Sequence, residues 1–381
     1  MAFGGNAFIG TIGATLQLNI DDYKKQIKGA VDATQQVARD ISRAGFGLSV
    51  GFAAPAAAGI AALTKAAGDY EYELKKIENL TAATRKQVQD WSKDLMQLAS
   101  VSGRGPKELA QGLYFVAGAG IVGAEAMQVM NSASKAAAIG LGETKDIARL
   151  TASVLNAYGK DTITAAKATD ILAATVLHGN VGTDELARSL GRVLPVAAAV
   201  GASFADIGSV IAIATRSGGN AQQVVTGLRG LLSVLVKPSS EGKKALEATG
   251  DPMDMIAQRK EALTGTFDKV GLSSDKLLQV INTQGLPAAL MVLKNAFDGN
   301  LESLEKVIPN IRALTTHLSV TGTQAKALDA VFRAIKNSTG LVDDAFLNLG
   351  TTFNQSFAIF KAQTEALAVQ FGDSLLPVSE A

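Results

Sequence analysis

The sequence predicts a mainly α protein, and three observations carry that expectation. Apolar residues recur at three- and four-residue spacings through most of the chain, the period of one helix face. Glycines punctuate it at intervals of about twenty residues from Gly120 to Gly218, where helices of ordinary length would end. Strand-like alternation is confined to one short stretch near the N-terminus. With 381 residues, 47% of them hydrophobic and 19% charged, the chain has ample apolar material for a core beneath a thin polar coat.

The elements follow in chain order. "TIGATLQLNI" alternates Ile12, Ala14, Leu16 and Leu18 with small or polar residues, the two-residue period of a short strand. Asp21 and Asp22 then suit a helix N-terminus, and Tyr23, Ile27, Ala30, Thr34, Val37 and Ile41 form an a/d stripe behind them. An oligomeric coiled coil and one face of a monomeric bundle both satisfy that stripe. Strand and helix together make an N-terminal region, residues 1–45.

Ala44 to Thr64, "AGFGLSVGFAAPAAAGIAALT", contains no charge and is long enough to cross a bilayer as a helix. It is a weak span, because Ala, Gly and Ser insert poorly and Pro55 sits at its centre. Its small residues Gly47, Gly51, Ala54 and Ala58 let helix backbones approach closely, in lipid or in a protein bundle. Residues 46–68 are therefore expected to form an apolar small-residue helix that packs in a bundle or enters a membrane conditionally. "MAFGGNAFIG" has no basic leader before a leucine-rich run, so a cleaved secretory signal is not expected.

Asp69 is a suitable cap for a helix over "AGDYEYELKKIENLTAAT". Val88, Trp91, Leu95 and Leu98 stripe a second helix, and Pro106 restarts the chain at a first helical turn. Beyond it, Gly120, Gly140, Gly159, Gly179, Gly201 and Gly218 separate short amphipathic helices. One has Ile147, Leu150, Val154, Leu155 and Tyr158 on a face; another has Leu186, Leu190, Val193, Leu194 and Ala197. The segments share no residue signature, so residues 69–250 are read as a compact multi-helix domain rather than a solenoid. "VKPSSEGKK", Val236 to Lys244, reads as a linker. Pro252, Pro287 and Pro309 break a further helical region, 251–345. Residues 346–381 form a C-terminal helix whose Phe346, Leu349, Phe353, Phe357, Phe360, Leu367 and Phe371 are expected to bury an aromatic face.

Chemistry is sparse. Lys and Arg total 36 against 35 Asp and Glu, so no global field draws the chain onto nucleic acid or an anionic membrane; any such contact is local. The absence of cysteine excludes disulfides, thiolate metal sites and cysteine nucleophiles. His178 and His317 lack a second histidine at helical spacing and read as ordinary surface or core residues. "GAGIVG", Gly118 to Gly123, fits the dinucleotide-binding pattern, with Glu143 at the distance of a ribose ligand. Its context is wrong: "KAAAIGLGETKD" offers no second buried strand, and "PKELAQGLYFVA" reads as a helix. "GASFA" at Gly201 lacks the last glycine of a nucleophile elbow, and Asp184 with Glu185 suits a helix start better than an acid/base pair. The expectation is no catalytic residue, no cofactor-binding residue and no metal ligand, and hence no enzyme.

At this level the chain resembles the core of the tail tape measure proteins of long-tailed bacteriophages. The resemblance is carried by the order of elements and by "AGDYEYELKKIENLTAAT", "PKELAQGLYFVAGAGIVGAEAM", "SKAAAIGLGETKDIARLTASVLNAYG" and, most specifically, the run from "DELARSLGRVLPVAAAVGASFADI" to "GLRGLL". It covers Asp69 to about Gly250 closely and Met1 to Gly68 loosely, and the closing "FGDSLLPV" is also similar to the end of that core. It implies a virion protein of the tail lumen, made in the host cytoplasm, that sets tail length and leaves ahead of the DNA to help the genome across the host envelope. The implied partners are the tail tube protein, baseplate hub or tail-tip proteins, tail assembly chaperones, further copies of the chain and the host membrane, with no sequence-specific nucleic acid binding. Family members usually run longer, so a fragment, a cleaved form, a short-tail form and a prophage remnant all stay open. Two rivals stand beside this reading: a membrane-active pore-former or toxin, sharing the apolar run and low charge, and an oxidoreductase built on "GAGIVG".

Overall fold

The computed structural model describes residues 50–81, 83–235, 273–297, 300–301, 304–305, 308 and 310–379, with the backbone alone at 50–63, 234–235 and 371–379. Every regular element among them is helical, which makes the protein mainly α as its periodicity predicts. The expected N-terminal strand, the a/d helix after Asp21 and the linker at Val236 lie outside the described residues. The chain divides into two compact units, Met1–Ala66 with Phe371–Ala381, and Ala67–Gln370. The second unit carries the features below.

Sixteen α-helices are described: α1 Val50–Thr81, α2 Arg85–Ser102, α3 Pro106–Gly118, α4 Gly123–Ala138, α5 Thr144–Tyr158, α6 Ala165–His178, α7 Thr183–Ser189, α8 Leu194–Ala199, α9 Phe204–Arg216, α10 Ala221–Leu235, α11 Ser274–Gln284, α12 Leu286–Phe297, α13 Ile311–Thr321, α14 Ala325–Lys336, α15 Leu341–Leu349 and α16 Phe353–Ser379. A short 3-10 turn, Leu190–Arg192, joins α7 to α8.

Two boundaries before α9 differ from expectation. Asp69 does not start a helix; α1 runs through Gly68 and Asp69 without a break. A glycine ends a helix where it takes a left-handed conformation, and Gly68 does not, so its cost is only the roughly 1 kcal/mol of an interior glycine. The small-residue run thus continues into a segment that carries Asp69, Glu71, Glu73, Lys75, Lys76 and Glu78. No helix among the described residues is long and apolar enough to cross a membrane, so the expected transmembrane segment finds no support there. The second difference is the stripe from Leu186 to Ala197. All five residues are buried, yet they come from α7, the 3-10 turn, the Val193 cap and α8, because Pro195 cannot continue the preceding hydrogen-bond ladder.

The glycine punctuation has a common geometry. At Gly120, Gly140, Gly201 and Gly218 the glycine takes a positive φ and its N–H donates to the carbonyl three residues back. The next N–H donates five residues back, from Ile121 to Val116, Leu141 to Ala136, Ala202 to Ala197 and Gly219 to Ala214. This paired closure satisfies the last carbonyls of a helix and reverses the chain within a few residues. Gly179 departs from the pattern. Its backbone is extended, and it stays glycine because a Cβ would lie 2.8 Å from the Thr175 carbonyl and 3.1 Å from Ala212 Cα.

The amphipathic faces bury as their spacing predicts: Trp91, Leu95 and Leu98 on α2, and Ile147, Leu150, Val154 and Leu155 on α5. Thr84 caps α2 through a reciprocal box with Gln87, and Pro106 opens α3 at its first position. The central helix α9 is apolar nearly all round and buried along its length, so it forms the middle of the unit.

His317 in α13 is fully buried, and neither ring nitrogen has a hydrogen-bond partner. Burial, with a small contribution from Lys294, pushes its pKa down to about 4. A histidine depressed in the fold gives stability that is fully present above its unfolded pKa and is lost as pH falls from about 6.5 towards 4. The loss should reach about 3 kcal/mol near pH 4, and His317→Leu should remove it, because no hydrogen bond is sacrificed. Asp206, whose carboxyl burial holds above the usual carboxylate range, titrates with the opposite sign, so the difference between wild type and variant isolates the histidine. Urea unfolding of both proteins from pH 7 to pH 4 measures it; parallel curves would contradict the assignment.

Candidate functional site

The sequence motifs that suggest chemistry resolve into helix ends. "GAGIVG" is the corner between α3 and α4: Gly118 ends one helix, Gly120 makes the left-handed turn and Gly123 begins the next. A dinucleotide site needs this turn to leave a strand, so the oxidoreductase reading fails on topology. Glu143 precedes α5 as its N-cap residue and pairs with Lys145 at 2.6 Å. Ser203 of "GASFA" caps α9, its hydroxyl accepting from the Asp206 N–H and donating to the Asp206 carboxylate at 2.6 Å. Asp184 and Glu185 lie in the first turn of α7, and Asp184 pairs with Arg188 at 2.8 Å. His178 closes α6, far along the chain from His317, and no group of His, Asp and Glu among the described residues could hold a metal ion.

Two carboxylates that periodicity alone passes over hold the unit together. Asp170, in the otherwise apolar "ATDILAAT" of α6, is 4% exposed. It accepts hydrogen bonds from the Gly340 N–H at 2.8 Å and the Val342 N–H at 2.9 Å, so it caps α15 from another helix. Asp206 does the same for α12. One of its oxygens serves Ser203, and the other accepts from the Leu286 N–H at 2.8 Å. Each acid satisfies orphan donors at a helix N-terminus, where the peptide dipoles favour negative charge.

The last helix is attached by amides. Gln355 Nε2 donates to the Ser102 carbonyl at 3.0 Å and Gln363 Nε2 donates to the Ser100 carbonyl at 3.1 Å, covering the end of α2. Gly103 permits this approach, since a Cβ there would lie 3.1 Å from the Ile359 nitrogen. Ala362, Ala366 and Val369 form the buried side of α16. The expected single helix over 346–381 is two, α15 ending at Leu349 and α16 opening at Phe353, and the expected burial of its aromatic face is wrong at Phe353, Phe357 and Phe360. Phe353 is 81% exposed, Phe357 57% and Phe360 50%, with Leu347 of α15 also outside. The Phe353 and Phe357 rings stack at 6.3 Å. The small residues and glutamines approach α2 more closely than phenylalanine rings can, and so the aromatic side turns outward.

Phe353, Phe357 and Phe360 thus leave an exposed aromatic face on a helical scaffold held by internal caps. The sequence pattern of the phage-related minor tail protein family matches residues 85–332, from the first turn of α2 into α14. The chain belongs to that family. The chain is also 24% identical over 322 residues to the tape measure protein of Pneumococcus phage Dp-1, covering 79% of this chain and 28% of that protein. It is 24% identical over 354 residues to the probable tape measure protein of Clostridium phage phiCD119, covering 91% and 35%. The chain thus spans about a third of the length of the curated relatives it matches. No solved structure matches it.

Proposed function

We propose that this chain acts as a tail tape measure protein, a structural rather than catalytic component of the phage tail lumen that sets tail length during assembly. The observation that carries the reading is the coincidence of the family match with the helical unit from α2 to α14. Similarity to two tape measure proteins supports it. In the same reading the protein leaves ahead of the DNA, helps the genome across the host envelope and meets the host membrane on the way. Tail tube protein, hub or tail-tip proteins, assembly chaperones and further copies of the chain are its proposed partners. The outward Phe353 and Phe357 support the assembly part of the proposal, as an apolar surface that an isolated chain leaves in water.

Heptad insertions test the ruler. If extended helix spans the lumen, each inserted residue adds at most about 1.5 Å to the tail, so seven residues after Asp21 or beyond Ala381 should add about 10 Å. Insertions between Ala67 and Gln370 should disrupt assembly without lengthening anything, because the glycine corners fold that part back on itself. Electron microscopy of the particles measures both. Intact, infectious tails whose length ignores every insertion would make this a tail-tip component instead.

A further inference from the structure

α16 has two faces, and the outer one carries the spacing of a coiled-coil seam. Phe353, Phe357, Phe360, Thr364 and Leu367 follow one another at intervals of four, three, four and three. At 3.6 residues per turn they fall within about 40° of one line along the helix. The buried Ala362, Ala366 and Val369 lie on the opposite side. Phe353 and Phe357 are mostly exposed and stacked on each other, and Phe360 rests against Phe357 at 6.5 Å with half of its surface in water. The seam itself holds no charge; Lys361 stands beside it, its ammonium 3.9 Å from the Glu365 carboxylate one turn on.

We propose that this seam pairs with the same seam of a second copy of the chain, parallel and in register. The inference rests on the reading that copies of the chain assemble, and it supplies their contact. A coiled-coil seam asks its partner for apolar residues at the same spacing, and a second copy meets that condition residue for residue. A seam without charge gives a charged partner no sign to match. Parallel pairing sets Thr364 against its counterpart, a polar layer that fixes the alignment, and places Lys361 across from Ser356 of the other copy. The antiparallel pairing that uses the whole stripe layers Phe360 on Thr364 and brings the two Lys361 ammonium groups together, which like charge opposes. The three rings of each copy offer about 400 Å² of exposed surface, so a pair removes about 800 Å² from water before Thr364 and Leu367 contribute. That lies at the lower end of specific interfaces and suits a reversible pair of micromolar strength.

Analytical ultracentrifugation of the full chain, from below to above micromolar concentration, should show a reversible equilibrium between one chain and two. Phe357→Asp should weaken it at least about thirtyfold, as loss of a central aromatic anchor does, and Phe357→Leu should preserve it. Unchanged far-ultraviolet circular dichroism of both variants checks the fold. Because the chain has no cysteine, Thr364→Cys gives a single thiol. Oxidation should link two chains through it, whereas Ala330→Cys, on an exposed position of α14, should not link. A wild-type chain that stays single at every concentration, association unaffected by Phe357→Asp, or Thr364→Cys that does not link would overturn the proposal. So would single chains that bind phosphatidylcholine vesicles or tail tube protein through Phe353 and Phe357, results that would give this face to lipid or to the tube. Failure here is separable from failure of the ruler, since tails lengthened by heptad insertions report on length control whether or not α16 pairs.

Discussion

Asp170→Ala is expected to cost about 4 kcal/mol of stability and to release α15 from α6. The carboxylate is 4% exposed and accepts two backbone N–H groups at 2.8 and 2.9 Å. Hydrogen bonds to a charged acceptor contribute about 1.5–3 kcal/mol each, and alanine leaves both donors without that partner and the buried Val342 N–H without a route to water. Val342, the second donor, is itself only 3% exposed. Asp170→Asn keeps one oxygen acceptor and sets an amide against the other N–H, so it should lose roughly half as much. Urea unfolding gives the totals, and hydrogen exchange of the Leu341–Leu349 amides reports local release. A loss below about 1 kcal/mol for the alanine variant, with those amides still protected, would show that the cap is dispensable.

Gly227→Ala should cost about 3 kcal/mol although it changes one methyl group on a helix surface. Gly227 lies on α10 where that helix crosses α13, and a Cβ there would overlap Thr316 Oγ1 and the Arg312 carbonyl, with the Arg312 carbonyl carbon 2.8 Å away. Backbone cannot swing aside as a flexible side chain can, so the two helices would have to separate. Gly230, one turn further along, is the internal control. Its Cβ would meet the Ala313 Cβ at 3.5 Å, an ordinary contact, and Gly230→Ala should be neutral or stabilising by up to about 1 kcal/mol from helix propensity. Thermal melts of the pair decide the matter; similar behaviour of both variants would mean that the crossing is not tight at Gly227.

What the sequence makes legible here is local chemistry. A glycine that must adopt a left-handed turn announces itself, and so Gly120, Gly140, Gly201 and Gly218 are helix ends in both sequence and structure. Stripes such as Trp91, Leu95 and Leu98 announce a buried face because no other neighbour competes for it. Periodicity does not say which of two faces meets the core. On α16 Phe353, Phe357 and Phe360 share a side as their spacing requires, but Ala362, Ala366, Gln355 and Gln363 supply the close fit, and these three rings face out. Asp170 was beyond reach for another reason. A lone acid in an apolar helix signals a buried partner, but its donors lie at Gly340 and Val342, and nothing near Asp170 points to them. Gly68 and Asp69 together resemble a helix boundary, yet neither compels one, and the continuous ladder of α1 prevails.

The Asp170 cap has a consequence for the order of synthesis. Its donors are encoded about 170 residues later than the acid they satisfy. At a translation rate of about 5–20 residues per second, roughly ten to thirty seconds separate the emergence of α6 from that of α15. Through that interval the nascent chain carries a carboxyl group where its finished interior will be. That carboxyl group must therefore keep water as its partner, and α6 cannot be closed at Asp170 until the ribosome has delivered Gly340 and Val342. The final closure of this part of the molecule is timed by the message, however fast the helices themselves form.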